Sequence, residues 1–314
     1  MPGRWELLRA VGSVPLIAPP AGDYIADSLG IRSFSASEYT ELFVLSLPPY
    51  AGIHLGPEGK LGDEGADRVA GLWRALGLIP PSDADHLGAL LLLYAELGDA
   101  ADQTGVERTR QRLDHSRAAL LWEHPWSWVP GYLDAASEET GPHPRGSDEE
   151  PGAARSWAEL TRRLLARETE LSPCAAALPL ALRVAPDPLS IDDDYDALLD
   201  ALTVPVRTGF ILTYRDLAVA SRSLGLGLRR GERRYAVKAM IEQDAPGILE
   251  WLSDHAQLWA ERHRRPPRWV QRAAHSADSL AQLARLATKR RSSVGGAMFP
   301  MSAAASVAGR IDTA

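Results

Sequence analysis

The chain has 314 residues, 45% of them apolar and 24% charged, a globular composition with room for two domains that excludes disorder across the whole length. Its single cysteine, Cys174, excludes an intrachain disulfide and a multi-thiolate metal site, and fits a reducing compartment. The net charge of −7 conceals two opposite regions: Met1 to Asp200 carries 16 Lys and Arg against 32 Asp and Glu, and the remainder carries 18 against 9. The front therefore favours basic ligands and the back tolerates anions, unless the two simply attract each other.

Taken in chain order, Trp5, Glu6 and Arg9 interrupt any apolar start and Pro15, Pro19 and Pro20 follow, so no export signal is expected. Tyr39, Leu42, Phe43 and Leu47 repeat at helical spacing behind Ser35 and Glu38, the order of a capping box, and predict a helix ended by Pro48-Pro49. Val69, Leu72, Trp73 and Leu76 predict the next, closed by Gly77. After Pro80-Pro81, Ser82 or Asp83 is placed to cap a helix from about Asp85 to Leu97 whose leucines leave hardly any polar face, as in a central buried helix. Its apolar run is far shorter than the ~20 residues a membrane span needs.

Thr104 with Glu107 opens a further helix to Trp122, and Trp126 to Leu133 continues as a shorter one. Glu138 to Arg155 reads as a surface loop, Trp157 to Leu165 as a helix, and the Pro-interrupted stretch from Pro173 to about Asp192 as a linker. Tyr195 to Leu202 is helical. Val204 to Thr213 is the one plausible strand, and one strand makes no sheet. The class is therefore all-α. Thr213 to Leu224, Arg230 to Gln243, a stripe from Ile248 to Trp259, and Arg268 to Ala287 complete the helices, before a small-residue tail from Ser292 that reads as disordered.

The residues offer little for catalysis. There is no phosphate-binding glycine loop, no H-E-x-x-H and no nucleophile elbow, so no catalytic residue, metal ligand or cofactor is assigned. Three features suit binding instead. Leu47-Pro48-Pro49-Tyr50 makes Tyr50 either a rigid aromatic anchor or a core residue. Asp83-Ala84-Asp85-His86 puts carboxylates at a helix start, either as a cap alone or as a site, and His86 beside them is expected to keep its proton longer. Trp122, Trp126 and Trp128 crowd a helix junction together with Glu123.

In order and spacing, EYTELFVLSLPPYAGIHLG, a helix ending RALGL, SDADHLGALLLLYAEL and EHPWSWVPGYLDAA resemble the TorD/DmsD/NarJ family of chaperones for complex iron-sulfur molybdoenzymes, over roughly Ser35 to Glu170. The resemblance implies an all-α TorD-like bundle with a hinge, and a cytoplasmic, non-enzymatic function. Such proteins bind the twin-arginine leader or N-terminal tail of the catalytic subunit of a molybdopterin-dependent oxidoreductase while its cofactors are inserted. Asp85 and His86 match the family's signature pair beside that hinge. The sequence departs from the family pattern with Ala84 in place of a Pro, and with Ala51-Gly52 in place of a Glu-Ser. A basic leader followed by an apolar run needs carboxylates beside an aromatic groove, which gives a leader-binding set of Tyr50, Trp73, Asp83, Asp85, His86, Glu123 and Trp126.

The resulting plan is a TorD-like module over residues 1–171 with its hinge near 79–83, a linker over 172–191, a basic helical extension over 192–290 and a tail over 291–314. A Pro-rich hinge permits subdomain exchange between chains, hence a homodimer. In the extension, Arg207 to Lys238 holds eight basic residues against Asp216 and Glu232. This is a solvated face, an anion or partner site at Arg229, Arg230, Arg233 and Arg234, or a DNA-binding helix-turn-helix over about 213–243 in a transcriptional regulator. The acidity of the whole chain opposes approach to nucleic acid.

Overall fold

A computed structural model describes residues 3–55, 64–138, 151–172, 187–263 and 267–293. Most of the expected Glu138–Arg155 loop, most of the Pro-interrupted linker with Cys174, and the tail beyond Ser293 lie outside them. The described residues are helical with no strand, in two compact units, one ending at Ser172 and the other beginning at Asp187.

In the first unit, α1 (Arg4–Ser13) packs on α6 (Leu87–Gln103) and α9 (Ala153–Leu171). Two glycines of α6 allow the close approach: a Cβ on Gly88 would lie 2.4 Å from the Gly12 carbonyl oxygen, and one on Gly98 2.5 Å from the Trp5 ring. Next come α2 (Asp23–Leu29) and α3 (Ala36–Tyr39). Ser35 and Glu38 form the reciprocal capping box, and α3 continues as a π-helix over Thr40–Ser46 whose last bond runs from Leu47 N–H to the Leu42 carbonyl. α4 (Ala51–Leu55) and α5 (Glu64–Ala75) follow, and Gly77 after α5 is left-handed at φ 77°.

α6 starts two residues later than expected, and its cap is neither Ser82 nor Asp83. His86 occupies the cap, its Nδ1 accepting from the Gly88 N–H at 3.0 Å. α7 (Glu107–Glu123) is likewise capped differently, with Val106 at the start, and it leads through a 3-10 turn at Pro125–Ser127 into α8 (Val129–Glu138). Trp128, Tyr132, Trp157 and Tyr94 are fully buried in the core. The Trp157 indole donates to the Val11 carbonyl at 2.9 Å and meets Phe43 edge-on. A second polar knot ties three helices: Arg4 forks onto Glu168, which also accepts from the Tyr94 hydroxyl at 2.8 Å. Glu168 is buried, so both partners are needed to offset its desolvation.

The second unit contains α10 (Tyr195–Leu202), α11 (Pro205–Thr208), α12 (Tyr214–Leu224), α13 (Arg233–Arg262) and α14 (Pro267–Ser293). The expected strand over Val204 to Thr213 is not one. Pro205 opens the single turn of α11, left-handed Gly209 closes it, and Phe210 to Thr213 run without a strand partner. The carbonyls of this segment are met by side chains instead: Arg272 on Val206, Ser276 on Thr208, His263 on Gly209 and Arg233 on Leu212. The two expected helices of 230–243 and 248–259 are joined as α13, broken at Asp244 (φ −152°, ψ 85°) just before Pro246. α13 and α14 run antiparallel, Ser253 bonding to Ala277 and Asp244 pairing with Arg291.

Candidate functional site

The segment that follows Pro48-Pro49 pairs with the end of the turn that follows Pro80-Pro81 and leads into α6. Tyr50 and His86 form an antiparallel bridge: Ala51 N–H donates to the Asp85 carbonyl at 3.1 Å and Leu87 N–H to the Pro49 carbonyl at 2.8 Å. Asp85 adds a side-chain bond, accepting from the Gly52 N–H at 2.9 Å. The backbone amide of Gly52 makes this bond, and a Cβ at that position would sit 3.4 Å from Asp85 Oδ2. Ala84, next to Asp85, is buried as well.

Burial sorts the four residues of this loop pair. Asp85 and His86 are 7% and 4% exposed, Tyr50 is half-buried and Asp83 is exposed. Tyr50 meets the His86 ring edge-on at 4.9 Å. Burial first, and then the nearby Asp83 and Asp85 carboxylates, raise the Tyr50 phenol pKa, so it stays a neutral hydrogen-bonding group. The expectation that His86 keeps its proton is overturned. Burial pulls its pKa from 6.5 down to about 4, outweighing the opposing pull of Asp83. A neutral ring is also what the cap demands, because Nδ1 must offer a lone pair to Gly88.

Three further side chains fix the loop, Trp128 of the aromatic cluster and two that the sequence does not mark as site residues, His54 and Tyr132. His54 donates from Nε2 to the Pro48 carbonyl at 3.3 Å and stacks on Trp128 with ring centroids 4.8 Å apart, while the Tyr132 hydroxyl donates to the Leu47 carbonyl at 3.1 Å. The signal lay in the quoted segments themselves, which place His54 four residues after Tyr50, and Trp128 and Tyr132 in the aromatic-rich turn.

The other expected site residues sit elsewhere in the first unit. Trp73 is half-buried on α5, its indole nitrogen buried without a hydrogen-bond partner among the described residues. Glu123 ends α7, and Trp126 in the following turn packs edge-on against Trp122 at 5.9 Å. Between them His124 is buried, its pKa lowered to about 4 by burial first and by Arg68 of α5 second. The sequence thus supplies one tight constellation of Tyr50, Asp83, Asp85 and His86, with Trp73, Glu123 and Trp126 on separate elements. In the second unit, Arg229 and Arg230 are exposed, Arg233 is buried with its guanidinium on the Leu212 carbonyl at 2.9 Å, and Arg234 is paired with Asp196 and Asp200.

Among the described residues no group of three His, Cys, Asp or Glu is placed to hold a metal ion, and no helix is long and apolar enough to cross a membrane. What the loop pair can do is present an exposed carboxylate and a phenol from a rigid backbone.

That loop pair lies inside a segment similar to a known family. Residues 32–134 match the family model of the nitrate reductase delta subunit. This is a NarJ/TorD-like family of molybdoenzyme maturation chaperones, not of enzymes, and its members bind their respective redox-enzyme subunits. The match contains α3 to α7 and most of α8, and stops short of the entire second unit. No curated protein and no solved structure matches the chain.

Proposed function

We propose that the chain is a cytoplasmic maturation chaperone whose first unit binds the leader or N-terminal tail of an apo-molybdoenzyme through the Tyr50–His86 loop pair. The carrying observation is the division of labour in that pair. Asp85 and His86 are consumed in holding the two segments together, and this leaves Asp83 and Tyr50 to meet a partner. The loop entering Asp83 supplies the apolar half of the surface: Leu78 is 41% exposed and Ile79 92% exposed. A basic residue followed by an apolar run, the pattern of a twin-arginine leader, complements an exposed carboxylate beside exposed aliphatic side chains. The acidity of the first 200 residues steers such a peptide inward.

The family match supports the partner class, a molybdopterin-dependent catalytic subunit. The assigned role for Asp85 and His86 is positioning rather than direct contact. Titration calorimetry of the full chain with a synthetic twin-arginine leader tests this. Asp83→Asn and Ile79→Ser should each weaken binding about five- to tenfold with an unchanged fold, the former only at low salt. Affinity indifferent to both substitutions would place the leader elsewhere.

A further inference from the structure

The second unit lies outside the family match and carries a surface that the proposed leader site does not use. α12 opens with its own capping box, Thr213 with Asp216, and ends at left-handed Gly225. The eight residues that follow, Gly225 to Glu232, are held at three points. The Tyr214 hydroxyl bonds to the carbonyls of Arg229 and Gly231, the Ser221 hydroxyl to the Leu226 carbonyl at 2.6 Å, and the Gln243 amide pairs with both the N–H and the carbonyl of Gly227 at 2.7 and 2.9 Å. A loop pinned this way presents its side chains at little entropic cost to a ligand.

Those side chains are Arg229 and Arg230, both exposed and without an ion pair among the described residues. On α12 itself, Arg215, Val219 and Arg222 fall at i, i+4 and i+7 and share a face, where Val219 is 44% exposed and Arg222 is exposed without an ion pair among the described residues. Tyr235, 57% exposed, stands in the first turn of α13. Exposed cations and apolar groups thus stand on the pinned loop, on α12 before it and on the first turn of α13 after it.

We propose that this surface docks an acidic amphipathic helix of a partner protein. Charge complementarity selects an acidic occupant, and exposed Val219 and Tyr235 select one with an apolar stripe. Nucleic acid fits less well. The first turn of a recognition helix would be that of α13, where Arg233 is buried and Arg234 is committed to Asp196 and Asp200. Asp216 and Glu232 also interrupt the row of cations that a phosphate backbone requires.

The test is fluorescence anisotropy of the full chain with three labelled probes. These are a Glu/Leu/Ala peptide of about twenty residues with leucines at helical spacing, its scrambled isomer, and a DNA duplex of about twenty base pairs. The amphipathic peptide should bind and the other two should not. Combined Arg222→Glu, Arg229→Glu and Arg230→Glu should weaken it at least about tenfold at low salt, and Val219→Ser with Tyr235→Ser should weaken it at low and high salt alike. All these positions are exposed, so the circular dichroism should not change. Equal binding of the scrambled peptide, preference for the duplex, or indifference to the Arg substitutions would each overturn the proposal.

Discussion

His86 can cap α6 only as a neutral ring, which makes the loop pair sensitive to acid. Its folded pKa of about 4 lies below the ordinary 6.5, so the unfolded chain takes up the proton first as the pH falls. The stabilisation is complete above about pH 6.5 and is lost as the pH descends toward 4. At 1.36 kcal/mol per unit the whole effect is about 3 kcal/mol, of which about 2 kcal/mol disappears between roughly pH 7.5 and pH 5. His86→Asn keeps a cap acceptor but removes the titration. Urea unfolding of both proteins at the two pH values, followed by pulsed hydrogen exchange of peptides covering residues 84–101, isolates the contribution of His86, because His124 is present in both. The wild type should lose about 2 kcal/mol more than the variant. Parallel pH dependence in the two proteins would refute the neutral-cap account.

Other perturbations separate the roles of individual groups. Asp85→Ala removes the acceptor of the Gly52 amide and should cost about 1–3 kcal/mol, read as faster hydrogen exchange across residues 50–54. Glu168→Ala strips both Arg4 and the Tyr94 hydroxyl of their partner. With Arg4 partly exposed, the cost should be about 2–3 kcal/mol in a thermal melt. Trp157→Phe should destabilise more than Trp128→Phe by about 1 kcal/mol, since only the Trp157 indole has a hydrogen bond to lose. Equal losses in that last pair would show that packing, not the Val11 bond, decides.

The sequence specifies local structure where the physics is local. The Ser35–Glu38 capping box, the break after Pro48-Pro49 and left-handed Gly77 all depend on neighbours within a few residues. The start of α6 differs from the expected one because its cap is the imidazole nitrogen of His86, whose ring packs on Tyr50, rather than a Ser or Asp. The β-branched run of Val204 to Thr213 suggests a strand, yet its carbonyls are satisfied by Arg272, Ser276, His263 and Arg233 from positions far along the chain. No propensity encodes such tertiary substitution.

The candidate site divides in the same way. Tyr50, Asp83, Asp85 and His86 were legible as residues, and their pairing across 36 positions was not. The direction of the His86 shift is opposite to the expected one because nearby carboxylates are visible in sequence, whereas the desolvation that overrides them is a property of the fold. His54 and Tyr132 carry no sequence mark of their role for the same reason: each acts on a backbone carbonyl that only the folded loop exposes to it.

The most direct test of the maturation role is affinity capture of the tagged full chain from extracts of its native cells, with mass spectrometry of what is retained. Capture by the wild type is compared with capture by a Tyr50→Ala, Asp83→Asn double variant. The wild type should retain a molybdopterin-dependent catalytic subunit that still carries its N-terminal segment, and the variant should release it. Absence of any such subunit, or equal retention by the variant, would contradict the account.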